Sequence, residues 1–359
     1  MDRSFKFGAG RYLQEQGLLE RAGVEIGRFG RKPCVVGGPT AMGVVWERPR
    51  AGLEAEGLDA VMVVHPGQCC HEEAREIVAK ARAEGCDLIV GVGGGRAMDF
   101  AKLCAHYLGT RVVNIPTCCS TCAPYAPFSL VYTPEGQTIP GNFCYPEEVV
   151  AILVDLDVMA TQPPRCAASG ILDAMAKAVE MTNGSPTLTH ALELPQDAAY
   201  AMGCFTHARL EALARTACAD MAAGRLTRAV EDVVYLTIPV TGMISGLSRG
   251  VGQSAIAHEL YYQARMHFVS QVVGRALHGE IVGVGLIVQL HYNQLDDRIP
   301  SYQALLRDLG APACLSDLGL PPSDAAVDQL YDGMCQSAFV PDDPACRARL
   351  LEGLRLIQR

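Results

Sequence analysis

The chain has 359 residues, 49% of them hydrophobic and 19% charged, which exceeds the size at which one core usually divides and gives apolar material for about two domains. Thirty Lys and Arg stand against 39 Asp and Glu for a net charge of −9, and only five of the basic residues are lysine, which excludes the basic footprint of a nucleic-acid-binding protein. Asp, Glu, Arg or Gly interrupts every apolar stretch short of the roughly 20 residues of a membrane span, and the start MDRSFKFGAGRY has no apolar leader core, so a cytoplasmic chain without membrane partners is expected.

The first half alternates short β-branched runs with helical patterns. Strands are predicted at 33–37 (PCVVG), 60–65 (AVMVVH), 87–91 (DLIVG) and 111–115 (RVVNI), with helices at 71–84 and 97–108, where apolar residues recur three and four apart. This βαβα rhythm implies a mainly parallel sheet that binds ligands beyond the C-terminal ends of its strands. The run 128–133 meets Pro134-Glu135-Gly136, which predicts a hairpin, and a further strand is expected at 149–155. After Pro163-Pro164 the pattern turns helical, at 166–180, 198–223, 226–245, 253–266 and 280–290. The boundary is therefore placed near residue 160, with a nucleotide-binding α/β domain over 1–160 and a helical domain over 161–359. Fifteen cysteines, an odd number spread from Cys34 to Cys346 through apolar segments, read as reduced and mostly buried thiols.

The first chemical signal is Gly91-Val-Gly93-Gly94-Gly95-Arg96-Ala-Met-Asp99, directly after a strand and opening a helix. Glycines let backbone N–H groups approach a diphosphate, and the helix N-terminus adds partial positive charge. A tight strand-to-helix turn is the plain alternative, and for Asp99 it is a capping role in the first helical turn. The next loop, Pro116-Thr117-Cys118-Cys119-Ser120-Thr121-Cys122, supplies hydroxyls and backbone donors at the same sheet edge. Its C-C-x-x-C run also leaves open a metal or redox role.

In the helical half Asp173, His258 and His278 stand on three separate helices or helix ends, and one carboxylate with two imidazoles would leave an open position on a divalent cation. Asp173, Lys177 and Glu180 fall at i, i+4 and i+7 on one helix face, so Asp173 could equally pair with Lys177. His267 and His291 are equal candidates by residue type. Arg249 is a candidate to meet a substrate carboxylate, or a surface arginine.

Taken together, GVGGGRAMDFAK, IPTCCSTCAPYAPFSLVYTPEG, SGILDAMAKAVE, AIAHEL and LHGEIVGVGLIVQL, in this order from about residue 7 to 290, resemble the iron-containing alcohol dehydrogenase superfamily in its glycerol dehydrogenase-like branch. The run Thr121-Cys122-Ala123-Pro124-Tyr125-Ala126-Pro127 looks most similar to the hydroxycarboxylate dehydrogenases, which reduce 2-oxoacids. The resemblance implies a Rossmann-like α/β N-terminal domain and an all-α C-terminal domain in the dehydroquinate synthase-like architecture, with the active site between them. It implies a metal held by Asp173, His258 and His278, zinc first and iron second. It places the diphosphate of NAD or NADP at Gly93, Gly94 and Gly95 with Asp99 nearby. Thr117, Ser120 and Thr121 would line the cofactor, and Phe128, Ser129 and Tyr132 would flank its nicotinamide. A small-molecule substrate and a homo-oligomer are also implied.

The sequence departs from the branch at several points. Glycerol dehydrogenases carry an aspartate where this chain has Cys122, and a thiol is a poor acceptor for polyol hydroxyls. A His-Asn-Gly run is replaced by Tyr261-Tyr262-Gln263, so Tyr261 or water would have to relay the proton. His258 and His278 are 20 residues apart, longer than is usual in the branch. Gly37-Gly38-Pro39-Thr40 lacks the acid that favours NAD, yet no Lys or Arg follows to clamp a 2′-phosphate, so either cofactor fits. The reading is of an NAD(P)-linked, metal-containing dehydrogenase acting on a small 2-oxoacid or carbonyl compound, with Cys122 and Tyr261 beside the ligands in the catalytic site. Its rivals are a polyol dehydrogenase, a dehydroquinate synthase-type lyase that recycles its cofactor, and a non-catalytic relative.

Overall fold

The computed structural model describes residues 8–65, 67–139, 141–189, 191–248 and 253–359. Its strands are β1 (Tyr12–Glu15), β2 (Pro33–Gly37), β3 (Val61–Val64), β4 (Leu88–Gly93), β5 (Arg111–Pro116), β6 (Phe128–Ser129), β7 (Phe143–Cys144) and β8 (Ala151–Asp155). Six of them form one parallel sheet in the order β1-β8-β5-β4-β2-β3. The central strands β2, β4 and β8 are buried throughout, as their near-continuous apolar runs require of a sheet covered on both faces. Alternation divides their side chains: Val35, Val90 and Leu153 pack with Leu18, Leu19 and Ile26 on one face. Cys34, Val36, Ile89 and Ile152 turn to the other face, into a core continuous with the helical half.

Neighbouring strands β2 and β4 feed connections that leave in opposite directions, β2 towards β3 and β4 towards β5. This reversal opens a crevice at their C-terminal ends, beside Gly37 and Gly93, the place where open α/β sheets bind ligands. The predicted strands at 33–37, 60–65, 87–91, 111–115 and 149–155 and the helices at 71–84 and 97–108 are all present, with shifts of a few residues at their ends. Strand β1 was not foreseen; YLQE has no apolar run and acquires its place only by pairing with β8, Leu13 opposite Leu153. The expected hairpin is present with an interrupted ladder: at the Pro134-Glu135-Gly136 turn Thr133 N donates to Gln137 O and Ile139 N to Val131 O, Tyr132 bridges Thr138, and β6 pairs antiparallel with β7 farther out.

Helix Pro164–Glu180 opens with proline at its first position and is buried from Ala167 onward, which makes it the axis of the helical half. Helices Leu194–Ala222 and His278–Tyr292 pack along it, and Ile256–His267 packs on the latter. The run Arg228–Leu247 corrects the expectation about apolar length: by length and composition it could cross a membrane, but it is mostly buried inside the protein against Leu194–Ala222. It is also not one regular helix. Pro239 offers no N–H, and the ladder widens to a π-turn over Leu236–Val240.

Candidate active site

A cleft of about 840 Å³ runs from the C-terminal ends of the strands to the helical half. On the sheet side it is walled by Gly93, Gly94 and Gly95, with Thr117, Ser120 and Thr121 from the following loop. Helix Gly95–Leu108 starts at this wall with its N-terminus towards the cleft loop. Gly95 leaves no room for a side chain: a methyl group there would stand 2.7 Å from Thr121 Oγ1. Bare backbone at the head of a helix is the surface a diphosphate requires, so these residues fit a dinucleotide.

Asp99 reaches the cleft wall, but its carboxylate is already engaged. Oδ1 lies 2.9 Å from Lys102 Nζ, and Oδ2 accepts from Leu130 N at 3.2 Å. Burial still pushes the Asp99 carboxyl above its ordinary value, and Lys102 opposes this. The Lys102 ammonium also donates to the carbonyls of Ala123 and Ala126 at 2.9 Å and to that of Phe128. Lys102 and Asp99 together thus anchor the 123–130 segment. Phe128 and Tyr132 line the cleft, whereas Ser129 does not. Its side chain is fully buried, with Oγ donating to Asp99 O at 2.9 Å and accepting from Tyr145 OH at 2.8 Å, so the expectation that it flanks the nicotinamide is corrected.

On the helical side Asp173, His258 and His278 come together, with donor atoms all within 4.8 Å of one another. Asp173 Oδ1 lies 3.1 Å from His258 Nε2 and 3.5 Å from His278 Nε2. This is the one such cluster of metal-ligating side chains among the described residues. His267 is bonded to Gln263 and His291 to Asp296, away from the trio. Close approach of helices positions the third ligand: a side chain at Gly279 would fall 1.8 Å from Ser169 O, so only glycine lets the residue after His278 rest on helix Pro164–Glu180.

The i, i+4, i+7 face of that helix does more than the spacing alone specified. Lys177 Nζ lies 3.4 Å from Asp173 Oδ1 and 3.0 Å from His258 Nε2. Glu180 Oε2 sits 2.6 Å from His258 Nδ1, and Oε1 accepts from the backbone N–H groups of Ala255 and His258 at 2.6 and 2.9 Å. Burial works against the Asp173 carboxylate, but Lys177 and the imidazoles override it and hold the group well below its usual range. His258 is raised despite burial, chiefly by Glu180, and His278 is lowered by burial. An acid-anchored imidazole beside a second imidazole and a charged carboxylate is a donor set that suits a divalent cation.

Between the two walls stand the residues marked by departure from the branch. Cys122 is buried, its Sγ 3.9 Å from Ser245 Oγ, and burial pushes its thiol up to about 11. Its neighbours do not converge on a common ion: Cys119 turns to Gln162 and Cys118 to Ser120. Tyr261 packs edge-on against His278 with ring centroids 4.3 Å apart, and its hydroxyl is 2.7 Å from that of Tyr132. Arg249 lies outside the described residues.

The family model for iron-containing alcohol dehydrogenase matches residues 9–153, which include the strand-borne wall of the cleft. The chain is 27% identical over 347 residues to a glycolaldehyde reductase of Halobacterium salinarum, covering 93% of this chain and 90% of that protein. It is 28% identical over 317 residues to a glycerol dehydrogenase of Thermotoga maritima, covering 87% and 84%. The crystal structure of a probable glycerol dehydrogenase from Sinorhizobium meliloti superposes with a TM-score of 0.83 at 25% identity, covering 98% of each chain. The matches to whole relatives take in both the glycine-walled sheet and the helices that bring Asp173, His258 and His278 together, so the chain is similar along its length to glycerol dehydrogenase-like proteins of the iron-containing alcohol dehydrogenase superfamily.

Proposed function

We propose that the chain is a metal-dependent, NAD(P)-linked oxidoreductase that interconverts a small 2-oxoacid and its 2-hydroxyacid. The observation that carries the reading is the meeting of Asp173, His258 and His278 on one wall of the cleft whose other wall is Gly93, Gly94 and Gly95. The three side chains would hold zinc or iron, and the glycine loop a dinucleotide. When bound, the cation supplies polarisation of a carbonyl oxygen and the nicotinamide supplies a hydride.

The chain's own residues prepare that site. Glu180, by accepting a hydrogen bond from the Nδ1–H of His258, turns Nε2 towards Asp173 as the nitrogen that would ligate a cation, and Lys177 balances the buried charge of Asp173. Tyr261 holds a proton at its hydroxyl, since burial pushes it above its ordinary value, and Tyr132 fixes that hydroxyl beside His278. At Cys122 a neutral thiol stands where the resemblance gives polyol-using members an aspartate, which weighs against a substrate rich in hydroxyls.

A second reading, a neutral aldehyde or polyol as substrate, is supported by the names of the glycolaldehyde reductase and glycerol dehydrogenase relatives. The two are separated by supplying the protein with zinc, iron(II) or manganese and following NADH and NADPH absorbance in parallel. Pyruvate and hydroxyacetone differ by carboxylate against CH2OH and serve as the matched pair, with glycolaldehyde and, in the reverse direction, glycerol. Oxidation of NAD(P)H in step with pyruvate loss supports the 2-oxoacid reading. Turnover confined to the neutral compounds replaces it with the second, and no cofactor change with any of them removes both.

A further inference from the structure

We infer that Arg265 is an oxyanion-binding residue of this cleft, holding a carboxylate or a phosphate on the side-on edge of its guanidinium. The inference rests on the reading of the site as an NAD(P)-linked reductase of small acids and identifies a side chain that reading lacks. Arg265 lies on helix Ile256–His267, one turn beyond Tyr261, and lines the cleft. It is only 9% exposed, yet neither Nε nor Nη2 finds a hydrogen-bond acceptor, and no ion pair engages it among the described residues. The guanidinium lies 4.4 Å over the ring of Tyr132, whose hydroxyl is bonded to Tyr261. That stacking satisfies the face of the cation and leaves its edge unmet.

A guanidinium cannot shed its proton to escape burial, so an unmet buried N–H edge is costly unless something else completes it. Nε and Nη2 carry the two parallel N–H bonds that match the two oxygens of a carboxylate or phosphate. The surroundings favour an anion as well. In a chain of net charge −9, the described lining of this cleft carries four arginines and Lys177 against two carboxylates, Asp99 and Asp173. Both carboxylates are already paired, with Lys102 and Lys177. Arg165 is likewise neutralised by Glu280, whereas Arg265 is buried without such a partner.

One chemistry thus has two sources here, the carboxylate of the substrate and the diphosphate of the cofactor. The test compares the wild type with Arg265→Met and with Arg265→Lys, which keeps the cation over Tyr132 but not the fork. Oxamate and inorganic pyrophosphate are titrated calorimetrically into each protein, with NADH binding followed by its fluorescence. Michaelis constants for pyruvate and hydroxyacetone are measured at saturating cofactor.

At least one anion should bind the wild type, weaken by roughly 10- to 100-fold in Arg265→Met and weaken several-fold in Arg265→Lys. If the substrate is the source, oxamate affinity and the KM for pyruvate move together while hydroxyacetone and NADH stay within about threefold. If the cofactor is the source, pyrophosphate and NADH move together and the KM values do not. Anion binding that depends on Arg265 in a protein that oxidises no NAD(P)H would uphold this inference and sink the reductase reading. The inference is overturned if neither anion binds the wild type, if binding is unchanged in both variants, or if both variants lose hydroxyacetone turnover, pyruvate turnover and NADH binding alike.

Discussion

Glu180 and His258 show how a residue outside a ligand set decides whether the set works. A carboxylate at 2.6 Å from Nδ1 keeps that nitrogen protonated, so Nε2, which faces Asp173, is the nitrogen that would ligate a cation. Replacing Glu180 with Gln keeps the size and allows the amide oxygen to accept from the backbone of Ala255 and His258, but turns an NH2 group towards Nδ1. The proton then moves to Nε2, and zinc affinity measured by competition with a chelator should fall by about 10- to 100-fold in a folded protein. Lys102 makes a second case. It is buried with Asp99 and ties down three carbonyls, so Lys102→Met should cost about 3–5 kcal/mol in urea unfolding because it strands a buried carboxylate. The sequence marks Asp173, His258 and His278 by type, and their convergence is met in space. It also puts Asp173, Lys177 and Glu180 on one face, but periodicity carries no information on which histidine a carboxylate will meet. Ser129 was misplaced for a related reason: in a two-residue strand, nothing in the local pattern tells which neighbour faces the cleft.

Helices bring the site together only because some of them touch through glycine. At Gly279 an added methyl would overlap the backbone oxygen of Ser169, which cannot rotate aside as a side chain could. Gly279→Ala must therefore push helix His278–Tyr292 off helix Pro164–Glu180, carrying the imidazole of His278 with it. A stability loss of about 2–3 kcal/mol in urea unfolding and a marked fall in zinc affinity are expected. The helix Leu194–Ala222 is held to the same axis by His207. Its Nδ1 lies 2.9 Å from Met175 O, and its Nε2 lies 3.0 Å from Arg298 Nη2. Donating to the carbonyl and accepting from arginine is possible only for the neutral ring, and burial lowers its pKa from the ordinary value of about 6.5. The unfolded chain then binds a proton before the folded one does. Stability from this group is complete above about pH 6.5 and is lost as the pH falls below it towards the depressed folded value. Melting temperatures from pH 7.5 down to 5 should decline, and the decline should be shallower in His207→Gln. At this scale the regular elements were legible, because apolar spacing marks them. Strand β1 and the π-turn at Pro239 were not, because one depends on a partner strand and the other on how a proline's missing donor is accommodated.

Over the whole molecule, the change of pattern near residue 160 predicts two domains, but the buried residues are not divided there. One core takes in Cys34, Val36, Ile89 and Phe100 beneath the sheet and continues through Ile171, Leu260 and Ile287 to Leu354 and Ile357. The other, around Leu18, Val35, Leu88 and Val113, is confined to the far face of the sheet. A fragment ending at residue 160 would keep the smaller core but expose to water the residues of the larger one that meet the helical half, among them Cys119, Tyr125 and Tyr132. Each large buried side chain so exposed would forfeit about 1.5–3 kcal/mol, and a few such losses match the whole stability of an ordinary domain. The chain is therefore expected to unfold in a single step. Calorimetry of the intact protein should give a van't Hoff enthalpy equal to the measured one, with circular dichroism and the fluorescence of Trp46, which packs in the smaller core, changing at the same temperature. The fragment 1–160 should lack a cooperative transition. Two resolved transitions in the intact chain, with Trp46 reporting only one of them, would show instead that the sheet holds together without the helices and that the cleft lies between independently folding halves.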